Sequence, residues 1–347
     1  ELVPIGALDL ALWMEADRMG WLLPALSQER LDNQRSVVLN ERRQSYENRP
    51  YGLATFTLMA AIFPPDHPYH WPTIGEPADL EAATLDDVRA FFQRYYHPGN
   101  ASLVIAGDVE TDDVLRRVEE LYGDIPAGEP VGRMAPAVPP PAPRRMVMED
   151  RVELPRLYLA WPTPQLFADG DAALDLVADL LGNGRTSRLY SRLIHDRRIA
   201  VELAAGQTSR EIASTFQIVA TAAPGRTLDE LEDAIHDEIA RFADEGPSEG
   251  EVERGRAQAE TAFVYRVQAL GGFGGKADQL NAYQTYLGVP DWFQSDLDRY
   301  LHATRDDLRL TCGAWLARDR ATTLAVVPHG TAAGALRDAE LVERGRA

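Results

Sequence analysis

The chain has 347 residues, of which 45% are hydrophobic and 26% are charged, a composition typical of a globular protein. This length predicts about two domains, each large enough to bury a core of its own. The formal net charge of −19 argues against nucleic acid or an anionic membrane as the main partner, because both repel an acidic protein. Keeping the protein in solution is a simpler role for this charge.

Before the first predicted helix, the N-terminus gives little information about the cellular compartment. The chain begins with Glu1 rather than Met, so we expect the natural N-terminus to lie upstream. No signal peptide is recognisable, and no apolar run reaches the ~18 residues that a membrane helix needs. The single cysteine, Cys312, excludes an intrachain disulfide, which suits the cytosol and also a periplasmic protein without disulfides.

The first part of the chain reads as helices followed by a strand. Apolar periodicity predicts helices at residues 8–21, 28–47 and 84–95, and a β-strand at residues 101–106. The third helix begins at Thr84, whose hydroxyl and the acidic Asp87 three positions later match a capping box.

A proline-dense run at residues 135–144 favours extended structure and blocks helix. It predicts an interdomain linker at residues 131–145, although a partner-binding proline tract is an alternative. The predicted organisation is therefore a first half, a linker, a second half and a short tail, at residues 1–130, 131–145, 146–335 and 336–347.

The second part alternates strands and helices. Strands are predicted at residues 152–161, 201–205, 215–222 and 321–327. Helices are predicted at residues 172–181, 187–196, 228–243 and 249–269. A glycine-rich segment at residues 271–276 follows a helix rather than a strand, so we interpret it as a flexible joint or substrate-facing loop and not as a nucleotide site.

An internal repeat relates the two halves. The segment 84–89 matches 304–309, and a predicted strand follows each segment at the same spacing, beginning at Ala101 and at Ala321. Upstream, the pattern of residues 27–35 matches that of residues 248–256 in nearly the same register. The second copy has a strand–helix–strand section at residues 146–226 ahead of its helix at residue 228, and the first copy has no counterpart. We therefore expect the first half to lack its front section.

Glu41 departs from this repeat. On a helix it shares a face with Val37 and Val38, so its carboxylate is expected on the apolar side. An inward carboxylate needs an arginine, a set of hydrogen bonds or a metal. Gln34 lies on the same face, and the second half has Ala262 at the position of Glu41. The residues leave two roles open, a metal or catalytic role and an internal salt bridge.

The seven histidines do not form a metal site by their spacing. No His-x-x-x-His occurs on a predicted helix, and His67 and His70 flank Pro68. We expect each histidine to be exposed or hydrogen-bonded rather than a ligand.

Several segments resemble the pitrilysin/insulinase family of zinc metallopeptidases. Residues 8–19 resemble the helix that follows the active site of that family. Val37-Val38-Leu39-Asn40-Glu41 resembles the element that supplies its third zinc ligand. Further similar segments are residues 47–52, 67–69, 71–75, 96–100 with 107–108, and 182–190.

This resemblance implies an α+β fold of two homologous halves, each a mostly antiparallel sheet packed against helices. Two such halves pair with two more to enclose a chamber. The implied activity is hydrolysis of peptides by a zinc metalloendopeptidase, with zinc held by two histidines and one glutamate. A second glutamate, in a His-x-x-Glu-His motif, is the general base.

The chain departs from the family pattern in two ways. His-x-x-Glu-His is absent and is expected upstream of Glu1, so Glu41 would be the only zinc ligand here and this chain alone is expected to be inactive. Many relatives carry an arginine and a tyrosine seven positions apart in the second half, where this chain has Ile194 and Val201. A homologous partner subunit would then supply that pair. Gln34 stands where relatives often have a glutamate that supports the metal site.

The leading hypothesis is a subunit of a zinc metalloendopeptidase that acts on peptides. The alternative is a non-catalytic subunit of the same family with a structural or substrate-presenting role. No residue is assigned to substrate binding. Because bacterial relatives are often exported, the periplasm is favoured over the cytoplasm.

Overall fold

The computed structural model describes residues 1–133, 138–140 and 142–345. The predicted linker at residues 131–145 lies partly outside these residues, as does the end of the predicted tail. The chain forms two compact units. The first contains Glu1–Asn40, Pro77–Met134 and Thr261–Leu297, and the second contains Glu41–Glu76, Ala135–Glu260 and Asp298–Ala347. The division into two sequence-related halves stays a prediction.

In the described part of the chain, the strands all lie after residue 144. The helices are α1 (Leu8–Ala25), α2 (Gln28–Arg42), α3 (Ala54–Ile62), α4 (Pro77–Ala82), α5 (Leu85–Tyr95), α6 (Thr111–Tyr122), α7 (Asp171–Gly182), α8 (Leu228–Glu245), α9 (Glu249–Gln268), α10 (Lys276–Leu287), α11 (Phe293–Leu301) and α12 (Arg305–Trp315). The strands are β1 (Arg145–Asp150), β2 (Arg156–Thr163), β3 (Ala200–Thr208), β4 (Ser214–Ala222), β5 (Thr322–Pro328) and β6 (Glu340–Val342). Short π-helical segments occur at Arg43–Glu47 and Tyr190–Asp196.

One mixed sheet organises the second unit, so the fold is α+β. Its strand order is β3-β4-β2-β5-β1-β6. The pairs β3·β4, β2·β4 and β2·β5 are antiparallel, whereas β1 is parallel to both β5 and β6. Leu157 of β2 lies opposite Ala220 of β4 and Ala325 of β5.

Both faces of this sheet are covered. Leu157, Leu159 and Trp161 of β2 belong to the core formed with α7, α8 and α12. Tyr158 and Ala160 point to the other face, into the core formed with α3. After Arg156, successive residues of β2 are therefore all buried, which explains why the strand reads as a nearly continuous apolar run rather than an alternating one.

Two predicted strands differ from the structure. The prediction of a strand at residues 101–106 is wrong, because these residues are not paired with a neighbour in the described part of the chain. Ala101 has extended dihedral angles, but extended backbone becomes a strand only when another strand accepts its hydrogen bonds. The predicted strand at 152–161 begins too early. A turn from Asp150 to Val152 precedes it, and β2 starts after Pro155.

The repeated segments adopt matching helices and caps. Helices α1 and α8 both have 18 residues, and α5 and α12 both have 11. The members of each pair begin at equivalent positions of the repeat. Thr84 and Thr304 each form a complete capping box, in which the threonine N–H lies 2.8 Å from a carboxylate oxygen of Asp87 or Asp307. The predicted start of the helix at Thr84 is confirmed.

Two corresponding arginines make the same contact within their own units. Arg35 donates to the carbonyl oxygen of Ala83, the residue before the first capping threonine, at 2.7 Å. Arg256 donates to the carbonyl oxygen of Ala303, the residue before the second, at 2.8 Å. The repeat in sequence is thus also a repeat of contacts.

A row of aspartates on α7 includes one with an unusual proton affinity. Burial raises the pKa of Asp175 to about 7, and the nearby carboxylates of Asp171 and Asp179 add to this effect. The hydroxyl of Tyr300 donates to Asp175 at 2.7 Å and opposes the rise. Ionised Asp175 therefore costs stability in the folded chain.

We expect Asp175→Asn to stabilise the protein at pH 8 and to have little effect near pH 4. The raised pKa means that the folded chain keeps a proton which the unfolded chain releases between about pH 4 and pH 7, so wild-type stability falls as the pH rises through this window. The gain at pH 8 should be on the order of 2 kcal/mol. Urea unfolding of both proteins at pH 4 and pH 8 measures the change in the free energy of unfolding. A gain at pH 4 as large as that at pH 8 would show that the raised pKa of Asp175 is not its cause.

Candidate functional site

Glu41 lies in the last turn of α2 with an exposed side chain, and Val37 is 48% exposed. The prediction that this carboxylate points to a buried apolar side is therefore wrong. The next residue, Arg42, is buried instead, with 5% exposure. The repeat shows the same difference in α9, where Ala262 corresponds to Glu41 and is exposed, and Phe263 corresponds to Arg42 and is buried. Within the described residues, the side chain of Glu41 forms no hydrogen bond or ion pair.

Arg42 anchors the end of α2. Its Nε lies 2.9 Å from Oε1 of Glu47, and its Nη2 lies 3.3 Å from Oε2 of Glu76. Nη1 donates to the carbonyl oxygen of Gly75, and the guanidinium stands over the ring of Phe56 at 5.2 Å. A planar guanidinium with several acceptors holds one orientation. The backbone at Glu41 is fixed as a result.

The chain turns sharply after this anchor. The π-helical segment Arg43–Glu47 ends the helix, and π-turns of this kind are frequent at functional sites. Tyr51 has a φ of 61°, and a Cβ at Gly52 would lie 2.0 Å from the carbonyl oxygen of Tyr46. Only glycine fits at position 52, so the tight turn depends on this residue.

A second anchor holds the far end of this turn. Asp150 is 1% exposed and accepts from the N–H of Tyr51 at 2.9 Å. Its other oxygen lies 2.8 Å from Nε of Arg344, whose Nη2 donates to the carbonyl oxygen of Glu47 at 2.7 Å. Sequence reasoning missed this pair because the contacts join positions 99 and 297 residues apart.

The other predicted positions are placed as follows. Gln34 is exposed on α2. Ile194 packs against the core of the second unit, and Val201 is half-exposed on the edge strand β3. Neither aliphatic side chain offers the hydrogen-bonding group that the family pair provides.

The histidines near this region are hydrogen-bonded. Nδ1 of His67 accepts from the N–H of Tyr69 at 3.0 Å, and burial lowers the pKa of His67. Nδ1 of His70 lies 2.7 Å from the carbonyl oxygen of Phe63. Across the described ranges, no three His, Cys, Asp or Glu side chains cluster in a way that could hold a metal. A zinc site needs three or four protein ligands, so Glu41 with its described neighbours does not form one.

None of the helices in the described part of the chain is both long and apolar enough to cross a membrane.

Comparison with known proteins extends these observations. The family model described as "Peptidase M16 inactive domain" matches residues 82–259. The zinc protease PqqE of Helicobacter pylori is 25% identical over 295 residues, which are 84% of this chain and 66% of that protein. An uncharacterized zinc protease of Streptomyces coelicolor is 24% identical over 305 residues, covering 84% of this chain and 64% of the relative. The chain thus spans about two thirds or less of the length of such relatives.

Solved structures show the same fold. The crystal structure of a protease from Helicobacter pylori superposes with a TM-score of 0.81 at 23% identity, covering 94% of this chain and 78% of that one. A peptidase M16 inactive domain from Pseudomonas fluorescens gives 0.80 at 19% identity, covering 94% and 76%. Because the family match covers more than half of the residues, this chain belongs to the M16 peptidase family.

Proposed function

We propose that this chain is a subunit of an M16 zinc metalloendopeptidase in which Glu41 is the third zinc ligand. The observation that carries the proposal is an exposed carboxylate without a partner in the described chain, on a helix end that Arg42 holds in place. The two histidine ligands and the general-base glutamate would belong to a His-x-x-Glu-His segment preceding Glu1. Gln34 would support the site from the same helix.

Zinc, when bound, would polarise the peptide carbonyl and lower the pKa of a bound water. The residues of this chain would contribute position and charge. Glu41 would donate one carboxylate oxygen, while Arg42 and the Asp150–Arg344 pair would keep the helix end and the following turn in one place.

The finer fold proposal is that the protein consists of two homologous halves, each with a mostly antiparallel sheet. The matching helix lengths, the two capping boxes and the equivalent Arg35 and Arg256 contacts support it.

A homologous partner subunit would supply the arginine and tyrosine that Ile194 and Val201 replace. The periplasm is the proposed compartment.

The second candidate is a non-catalytic subunit with a structural or substrate-presenting role. The description of the matching family model as an inactive domain favours it. That match begins at residue 82, however, and does not include Glu41. It therefore bears on residues 82–259, which include the end of the first half and much of the second, and not on the proposed ligand.

Replacing Glu41 with glutamine tests the proposal. In the protein made from the complete gene, Glu41→Gln should reduce bound zinc and slow peptide hydrolysis by about 100-fold or more, because a neutral amide is a poor zinc ligand. Zinc is measured by plasma mass spectrometry and hydrolysis with a fluorogenic peptide. Glu29→Gln, an exposed glutamate in the first turn of the same helix, is the matched control.

Equal zinc content in Glu41→Gln and wild type would reject the ligand assignment. A complete wild-type protein that neither holds zinc nor cleaves peptides would instead support the non-catalytic role.

A further inference from the structure

The loop that follows α3 contains a histidine whose hydrogen bond exists in one protonation state only. We call residues 64–76 the α3 loop. His67 caps a short 3-10 helix, Pro68–His70, and its Nδ1 accepts from the N–H of Tyr69 at 3.0 Å. A ring nitrogen that accepts carries no proton, so the neutral ring has its proton on Nε2. The contact with Tyr69 therefore requires a neutral His67.

The other nitrogen of His67 has no partner for a proton either. Its Nε2 is buried, and none of the described residues forms a hydrogen bond with it. The ring lies against Phe63, which is 1% exposed, with the two ring centroids 4.6 Å apart. Protonation would put a hydrogen on Nδ1 that faces the N–H of Tyr69, while the hydrogen on Nε2 would still lack an acceptor. The loop in this conformation thus has no acceptor for an imidazolium.

Tyr69 connects this contact to the sheet. Its hydroxyl accepts from the N–H of Ile212, in the turn between β3 and β4, at 3.2 Å. Arg210 of the same turn stands over the Tyr69 ring, 5.1 Å from its centroid. The ring also meets Phe63 and His67 edge-on, with centroids 5.6 and 5.3 Å apart. His67 holds Tyr69 from one side, and the turn between β3 and β4 holds it from the other.

The charged groups around His67 do not replace the missing acceptors. Asp66 precedes it in the loop, and the charge of this carboxylate raises the pKa of His67, but burial lowers that pKa by more. Arg210, on the far side of Tyr69, is itself a cation. The sequence of α3 contains no titratable residue. The surroundings therefore favour the neutral ring.

His70, the second histidine of the loop, keeps its contact in both protonation states. Its Nδ1 lies 2.7 Å from the carbonyl oxygen of Phe63 and can donate to it as a neutral ring or as a cation. A second proton, on Nε2, leaves this hydrogen bond in place. Acid therefore breaks the contact of His67 and not that of His70.

We propose that His67 is an acid-sensitive latch, in which the neutral ring holds the α3 loop closed and protonation releases it. In acid, the N–H of Tyr69 loses its acceptor and the 3-10 helix loses its cap. Burial lowers the pKa of His67 in the closed loop, whereas a released ring regains the ordinary value of 6.5. The closed loop is thus favoured at neutral pH and loses stability as the pH falls below 6.5.

Release of the loop would reach the end of α2. The α3 loop ends at Gly75 and Glu76, both of which accept from Arg42. When the loop opens, Arg42 loses these acceptors, and the helix end that carries Glu41 loosens. The latch needs no zinc and is tested without peptide hydrolysis, so it is independent of the peptidase proposal.

Hydrogen exchange of the 347-residue chain at pH 7.5 and pH 5.5 tests the latch, read by mass spectrometry with fragmentation that resolves single residues. Each rate is divided by the intrinsic chemical rate at the same pH. The corrected rate at the Tyr69 amide should rise about fivefold in acid, because one proton bound at the ordinary pKa of the released ring can favour opening at most about tenfold at pH 5.5. The amide of Asn48, which donates to the carbonyl oxygen of Arg43 beside the anchor, should rise with it.

His67→Asn is the deciding variant. The side-chain oxygen of asparagine accepts from the backbone N–H two residues later, as in an Asx turn, and it does not titrate. This variant should stay closed, with corrected rates that differ less than about twofold between the two pH values. His67→Leu, which has no acceptor, should exchange fast at both. Circular dichroism should show that both variants are folded.

His70→Asn is the matched control, since its amide nitrogen can still donate to the carbonyl oxygen of Phe63. It should respond to acid like wild type. Proton NMR gives the pKa of His67 directly, from the histidine signal that His67→Asn lacks. Wild-type rates that do not change with pH, an acid response that His67→Asn keeps or His70→Asn loses, or a pKa of His67 at or above its ordinary value would overturn the latch. An acid response at Tyr69 without one at Asn48 would overturn the release of Arg42.

Discussion

Arg42→Ala is expected to lower the free energy of unfolding by about 3 kcal/mol, since the change removes a buried cation and leaves its partners without a donor. The carboxylates of Glu47 and Glu76 would remain close together without a positive charge between them, and the carbonyl of Gly75 would lose its donor. The loss is at the lower end of the range for buried ion pairs, because both carboxylates keep about a third of their side-chain exposure.

Urea unfolding followed by circular dichroism measures this loss, and limited proteolysis within residues 43–52 reports on the local turn. Arg89→Ala is the control: Arg89 is a partly exposed arginine of α5 whose one ion pair within the described ranges is with Asp86. Exposed pairs of this kind contribute less than about 1 kcal/mol. An Arg42→Ala protein as stable and as protease-resistant as Arg89→Ala would show that this anchor does not hold the end of α2.

Local signals in the sequence predicted local structure well. The start of α5 at Thr84 could be predicted because a capping box needs only a threonine and an acidic residue three positions later. The strand β4 could be predicted from its β-branched residues, and it begins one residue before the predicted position. Such features are decided within a few neighbouring positions.

Features that depend on distant partners were not predictable in this way. Strand β1 contains arginine and acidic residues at its ends, and its partner β5 lies near the opposite end of the second half. The prediction that Glu41 points inward was wrong for a related reason. Val37 and Val38 suggested that Glu41 points inward, but the buried residue is Arg42, which contacts Gly75 and Glu76. Those contacts span 33 and 34 residues.

The two anchors of the turn after α2 use different parts of the chain. Arg42 fixes the start of residues 43–52 through Glu47 and Glu76, whereas Asp150 and Arg344 fix the end. Residues from the C-terminal segment therefore stabilise a turn next to the proposed ligand. The predicted tail at residues 336–347 contains both Arg344 and strand β6, which pairs with β1.

Gly182→Ala is expected to lower the free energy of unfolding by about 3 kcal/mol. Gly182 ends α7 where this helix meets β3, and a Cβ there would lie 2.4 Å from Cβ of Ala205 and 2.6 Å from its backbone nitrogen. A backbone atom of a paired strand cannot move aside cheaply, so the helix and the strand would have to separate. The loss should appear as a lower urea midpoint and a Tm lowered by at least about 5 °C.

Gly255→Ala should change stability in the opposite direction. Gly255 lies inside α9, and a Cβ there would meet the side chains of Leu176 and Leu180 at 3.5 Å, an ordinary contact distance. The substitution also removes a glycine from a helix interior, which stabilises by about 0.5–1 kcal/mol. Both changes add one methyl group to a glycine of a helix packed in the same core. The new Cβ lies 2.4 Å from its neighbour at position 182, at the end of α7, and 3.5 Å from its neighbour at position 255, inside α9. A loss of stability in both variants would show that this distance does not decide the effect.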